Sequence, residues 1–149
     1  MKSLFNPTVN KEMIERIQKL NANTKPAWGK MTVAQMVMHS QKPFQVAYKE
    51  LQLKRGIIGI LFGGIAKKKL TGPEPFGKNL PTDKNFKITV HPEFEREKNN
   101  LISCVQRFSK NGPSGIAKEP HPFFGKLTTE EWDALMYKHL DHHLRQFGA

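Results

Sequence analysis

The sequence predicts an all-α fold: a four-helix bundle with a long irregular connection between its second and third helices. Three observations predict it. Apolar residues recur at spacings of three and four in four separate segments, two of those segments open on the same capping signature, and no run alternates convincingly enough for a sheet. Helices that each bury one stripe against a shared core make such a bundle. At 149 residues, the chain reads as one domain, 1–149, able to bury a core without disulfide staples.

The first helix is expected over residues 10–21, with Met13, Ile14, Ile17 and Leu20 on one face. A loop carrying Pro26, Trp28 and Gly29 follows. Thr32 opens the second helix. Thr32 and Gln35 fit a capping box, in which the hydroxyl and the amide satisfy each other's backbone N–H, and Met31 and Met36 fit the accompanying hydrophobic staple. The helix should reach Tyr48 or Lys49, but Pro43 has no N–H to offer the carbonyl of His39, so a kink or loosening is expected there.

Residues 50–91 read as the irregular connection, rich in Gly and Pro, with residues 87–90 as a short extended piece. Its apolar run, residues 56–66, contains four glycines, which argue against a rigid core helix. It reads as a capping or mobile segment that could touch a membrane surface, line a pocket or cover a subunit contact. It falls short of the ~20 residues that a membrane span needs. The third helix is expected from Pro92, with Phe94, Leu101, Val105 and Phe108 on its apolar face, to the stop signal Asn111-Gly112-Pro113. The fourth repeats the device of the second: Thr128 and Glu131 form the capping box, Leu127 and Trp132 the staple, and the helix runs to Phe147.

That last helix carries the chemistry. With Trp132 at zero and 100° per residue, Leu135, Met136, Gln146 and Phe147 cluster within roughly 60° of it, and His139 and His143 fall within about 20° of the stripe's centre. A single core histidine is usually a hydrogen-bonded packing residue. Two at i, i+4 in the apolar seam bring a shared divalent metal level with that reading, because neutral imidazoles one turn apart can reach one ion. His142 points to the flank, and Asp141, Arg145, Lys138 and Glu130 to the opposite, solvated side. His39 is the natural third ligand. At ~1.5 Å per residue it lies about 10 Å into its helix, level with the pair only if the second and fourth helices run antiparallel. Three histidines leave an open coordination position, the pattern of a catalytic metal, which could activate a water or a bound thiol.

Other polar groups receive plainer readings. His121 is set in a turn with Pro122, Phe123 and Phe124, a structural role outweighing that of a fourth ligand. Gln35 and Gln146 lie near their helices' histidine faces and could bond a ligand's ring N–H, with packing an equal alternative. Trp28 and Trp132 read as packing residues. Cys104 excludes an internal disulfide and, on a helix, reads as an inert thiol. With no signal-peptide pattern at the N-terminus, a cytoplasmic location is the default expectation. The net charge of +11 raises nucleic acid as a partner, but the lysines are dispersed and no aromatics interleave them, so a solvated surface is favoured.

Three blocks together resemble a known family. They are Trp28-Gly29-Lys30-Met31-Thr32-Val33-Ala34-Gln35-Met36 leading to His39, His121-Pro122-Phe123-Phe124-Gly125-Lys126-Leu127-Thr128 leading to Glu131-Trp132, and His139-Leu140-Asp141-His142-His143-Leu144-Arg145-Gln146-Phe147. The chain is similar in these blocks to the DinB/YfiT-like metal-binding four-helix bundles, in particular a bacterial branch of undefined function. The resemblance implies a divalent metal, zinc or nickel, held by His39, His139 and His143. It also implies thiol-dependent chemistry: relatives transfer low-molecular-weight thiols to electrophiles or isomerise maleylpyruvate with a thiol, and others are associated with DNA-damage induction. A homodimer is implied on the same ground. The expectation is a metal-dependent enzyme acting on a small-molecule substrate, a thiol S-transferase or detoxification enzyme. The alternatives are a non-catalytic metal-binding stress-response protein and, less favoured, a nucleic-acid-binding protein.

Overall fold

Asn6 and Pro7 open the first helix. The Asn6 side chain accepts from the N–H groups of Thr8 and Val9, and Pro7 supplies a helical φ where no donor is needed, so α1 spans Pro7–Gln18, three residues earlier at both ends than expected. The computed structural model describes residues 2–54, 56–72 and 74–149. Among these the chain is all-helical, with six α-helices, two single 3-10 turns and no strand. Residues 87–90 pair with no strand; the carbonyls of Ile88 and Val90 accept instead from the Gln35 amide.

Both capping boxes form. Thr32 and Gln35 start α2, Val33–His39, and Thr128 and Glu131 start α6, Thr129–Gln146. The single second helix of the sequence reading is in fact two. α2 stops at His39 and α3 covers Lys42–Ala47, with Pro43 in its first turn. At the break the buried Gln41 amide donates to the carbonyls of Val37 and Glu97 and to the Glu97 carboxylate, replacing bonds the helix would have supplied. α5 runs Phe94–Asn111, two residues after Pro92, because the Glu93 side chain caps the N–H groups of Glu95 and Arg96.

The irregular connection requires the largest correction: it contains α4, Ile57–Thr71. Its glycines serve contact with the protein. A Cβ on Gly59 would lie 2.8 Å from the carbonyl oxygen of Pro122, and one on Gly63 would lie 2.3 Å from that of Phe123. Glycine at i and i+4 thus lets α4 press its backbone against residues 122–124. Lys138 fixes the far end, its ammonium donating to the carbonyls of Lys69, Leu70 and Gly72 at 2.9–3.1 Å. These are carbonyls that a helix C-terminus leaves without partners.

α1 and α2 pack on α5, α3 touches both α5 and α6, and α4 lies on α6. Met13, Met36, Phe44, Leu101, Phe108 and Leu140 are among the buried side chains between them. α6 is enclosed on more sides than its stripe suggests. Lys138 and Asp141, placed on its solvated side by helical angle, are buried: Lys138 beneath α4, Asp141 against α1. The Asp141 carboxylate accepts from Arg16 at 2.8 Å and from Arg145 at 2.9 Å. No helix is long and apolar enough to cross a membrane among the described residues.

Candidate metal centre

His39 ends α2, and His139 and His143 stand one turn apart on α6. The three rings converge. Their centroids lie 5.0 Å (His39–His139), 4.8 Å (His39–His143) and 4.6 Å (His139–His143) apart, and one nitrogen from each lies within 4.8 Å of the others. Nitrogens bound tetrahedrally to one ion at about 2.1 Å stand about 3.4 Å apart, so ring movements that close the widest pair by up to about 1.4 Å bring the three to a shared centre. The helices carrying them run in opposite senses. The Ala27 N–H, ahead of α2, donates to the Gln146 carbonyl at 2.7 Å, while His39 at the other end of α2 meets His139.

The neighbours set the tautomers. His39 Nδ1 is 2.9 Å from the Phe86 carbonyl, which can only accept, so that nitrogen carries the proton and Nε2 presents a lone pair. Gln146 does the same for His143. Its Nε2 donates to the Trp28 carbonyl at 2.7 Å, which turns Oε1 towards His143 Nδ1 at 2.8 Å. Gly29 permits this approach: its φ is +81°, and a Cβ there would lie 2.7 Å from Gln146 Nε2. Both rings therefore keep their lone pair on Nε2, and that of His39 lies 3.1 Å from His139 Nε2. Ligand histidines are characteristically oriented by such a bond from the other ring nitrogen.

Burial keeps the rings neutral. It holds His139 well below the ordinary imidazole value and lowers His39, and it pushes His143 down to about 3. His39 and His143 are almost wholly enclosed, whereas His139 is partly exposed. Phe86 stands edge-on to His39, and Phe76 and Trp28 stand edge-on to His142, so these three aromatic side chains cover the histidine face.

The remaining candidates fall into place around this centre. His142 is half-buried with its ring 5.0 Å from that of His143, and it lies outside the three. His121 also stands outside them. Its Nδ1 accepts from the N–H groups of Phe123 and Phe124, closing the turn against which α4 packs, and burial pushes its pKa down to about 4. Gln35 does not approach His39, being committed to its capping box and to residues 88 and 90. Trp132 is core, whereas Trp28 is half-buried, with its Nε1 enclosed and without an acceptor among the described residues. Burial raises the Cys104 thiol to about 11, which suits an inert side chain. The Phe86 and Trp28 carbonyls escape sequence reading because main-chain acceptors on loops carry no residue signature.

A family match covers residues 8–149. The chain belongs to the DUF1569 family. That family is described as a protein of unknown function. No curated protein and no solved structure matches the chain. In this DUF1569 chain the reading of the site rests on its own geometry: a buried, neutral, nitrogen-only donor set oriented by two main-chain carbonyls and one amide.

Proposed function

We propose that this protein is a metal-dependent enzyme on a DinB/YfiT-like four-helix plan, with α1, the α2–α3 pair, α5 and α6 as the four members and α4 added on the outside. His39, His139 and His143 would hold one divalent ion, zinc or nickel. The observation that carries the reading is the convergence of three rings with two tautomers fixed: His39 and His143 each commit Nδ1 to a fixed acceptor, and the bare Nε2 of His39 lies 3.1 Å from His139 Nε2. Packing histidines need no such common focus. The donor set fits an ion that accepts imidazole nitrogen and tolerates three protein ligands.

Such an ion would supply Lewis acidity at an open position, lowering the pKa of a bound water or thiol. The chain's own residues do the rest. Gln146 and the Phe86 carbonyl hold the ligand rings, and Phe76, Phe86 and Trp28 keep the enclosure dry. The reaction proposed is transfer of a low-molecular-weight thiol to an electrophile, and the +11 charge favours an anionic thiol.

The test is elemental analysis of purified protein beside His39→Ala, His139→Ala, His143→Ala and His142→Ala, followed by a thiol-transfer screen of the metal-loaded form. The first three variants should lose the ion and His142→Ala should keep most of it. Equal loss in His142→Ala sinks the ligand assignment. A tightly held ion with no thiol-transfer activity would favour a non-catalytic metal-binding role.

A further inference from the structure

α4 is built inside out. At 100° per residue, Ile60, Leu61, Gly64, Ile65 and Lys68 share a face with Ile57, within about 80° of it, while Gly59, Gly63, Ala66 and Leu70 lie opposite. The small-residue side is the one pressed against the protein. The large side chains of the Ile57 face point outward: Ile57 is 75% exposed, Ile60 59%, Leu61 66% and Ile65 63%, and Phe62, beside that face, is 55% exposed. Among the described residues these five, with Leu80 and Val90, are the exposed large hydrophobics, so apolar exposure is concentrated on one helix. Single exposed leucines mean little, but a contiguous set on one element marks a contact surface.

Charge selects the partner. Residues 51–73 hold five basic residues and no acidic one, with Lys54 ahead of the helix and Lys67, Lys68 and Lys69 near its end. Lys67 pairs with Glu131, and Lys54, Lys68 and Lys69, which are exposed, rim the apolar face along the chain. A second copy of the chain would bring another +11 against this rim. An apolar strip bordered by lysines instead complements the acyl boundary and headgroups of an anionic bilayer. We propose that α4 docks the protein on anionic phospholipid membrane surfaces, lying in the plane of the interface with Ile57, Ile60, Leu61 and Ile65 inserted. The helix does not cross the membrane. This surface is independent of the histidine centre.

The experiment is co-sedimentation of the full chain with vesicles of phosphatidylcholine mixed with phosphatidylserine, and with pure phosphatidylcholine vesicles. Binding should favour the mixed vesicles and weaken as salt is raised. The variant carrying Ile60→Ser, Leu61→Ser and Ile65→Ser should bind at least about tenfold more weakly, with an unchanged circular dichroism spectrum because these side chains are exposed. Lys54→Gln with Lys69→Gln should abolish the preference for the anionic vesicles. Absence of sedimentation with the mixed vesicles, or equal binding by the serine variant, overturns the proposal. So does a lipid-free dimer, seen by equilibrium ultracentrifugation, that the serine variant dissolves, because the face then belongs to a second copy.

Discussion

Adjacent glycines on α4 offer a controlled comparison. A Cβ on Gly63 would sit 2.3 Å from the Phe123 carbonyl oxygen, whereas one on Gly64 meets nothing within 4 Å. Both alanine substitutions gain the same helix propensity, about 0.8–1 kcal/mol. At Gly64 that gain stands alone, so Gly64→Ala should stabilise the protein by nearly that amount. At Gly63 the obstacle is main chain in a turn clamped by His121, and it cannot rotate aside as a side chain would. The helix must move outward by roughly 1 Å, and overpacking of this kind costs about 1–3 kcal/mol. Propensity cancels between the two variants, leaving Gly63→Ala less stable than Gly64→Ala by about 1–3 kcal/mol. For a chain of this size that corresponds to a Tm gap of roughly 3–10 °C.

Urea unfolding of both variants beside the wild type measures the gap. Hydrogen exchange over residues 57–71 shows whether α4 opens as a separate unit. Equal stability and equal α4 protection in the two variants would refute the close approach of α4 to residues 122–124, and with it the outward orientation of the apolar face.

Three further outcomes are expected. Gln146→Ala, which removes the acceptor for His143 Nδ1, should weaken zinc or nickel retention by about 10–100-fold in competition with a chelating dye, and unchanged retention would mean that Gln146 does not orient a ligand. Lys138→Met, which strips the donor from three carbonyls at the end of α4, should cost about 1.5–3 kcal/mol in urea unfolding and speed exchange over the last turn of α4. His121 has its pKa pushed down to about 4 by burial. The unfolded chain therefore takes up a proton near pH ~6.5 that the folded chain refuses until near pH ~4, and stability present above pH ~6.5 drains at up to ~1.4 kcal/mol per pH unit as the pH falls through that window. His121→Asn keeps an acceptor for the turn without titrating, so its stability should fall less steeply than wild type between about pH 6.5 and pH 4.5; parallel curves would contradict the assignment.

Local signals were legible in the sequence, and signals that depend on what packs outside a helix were not. The capping boxes at Thr32 and Thr128 locate two helix starts because every atom involved lies within four residues. Asn6-Pro7 is an equally local start signal, yet reading apolar periodicity alone begins the first helix three residues late. The convergence of His139 and His143 was visible because imidazole in an apolar stripe is anomalous, and the height of His39 along its helix pointed to the same level. Asp141 and Lys138 were misplaced because helical angle distinguishes the stripe from its opposite but not solvent from a second layer. Here α1 and α4 occupy those opposite faces. α4 itself is unreadable by periodicity, since most of its bulky residues face out while Gly59 and Gly63 face in.

The same packing constrains how a small molecule could reach the histidines. α6 is held on three sides: Asp141 by Arg16 of α1, Lys138 by the end of α4, and His139 and His143 by the α2 side. Its two imidazoles are therefore fixed to the body of the protein, and only the cover can yield. That cover is not neutral to the site. Displacing residues 84–90 would take the Phe86 carbonyl from His39 Nδ1, releasing the tautomer that leaves Nε2 bare. Displacing Trp28 would take the acceptor from Gln146 and loosen His143 in the same way. Approach past His139, the one residue of the three that is not fully buried and the one with no carbonyl tie among the described residues, disturbs neither bond. A divalent ion held by these residues would then exchange its other ligands past His139 while the two oriented histidines stay fixed, which is what the proposed catalytic role requires.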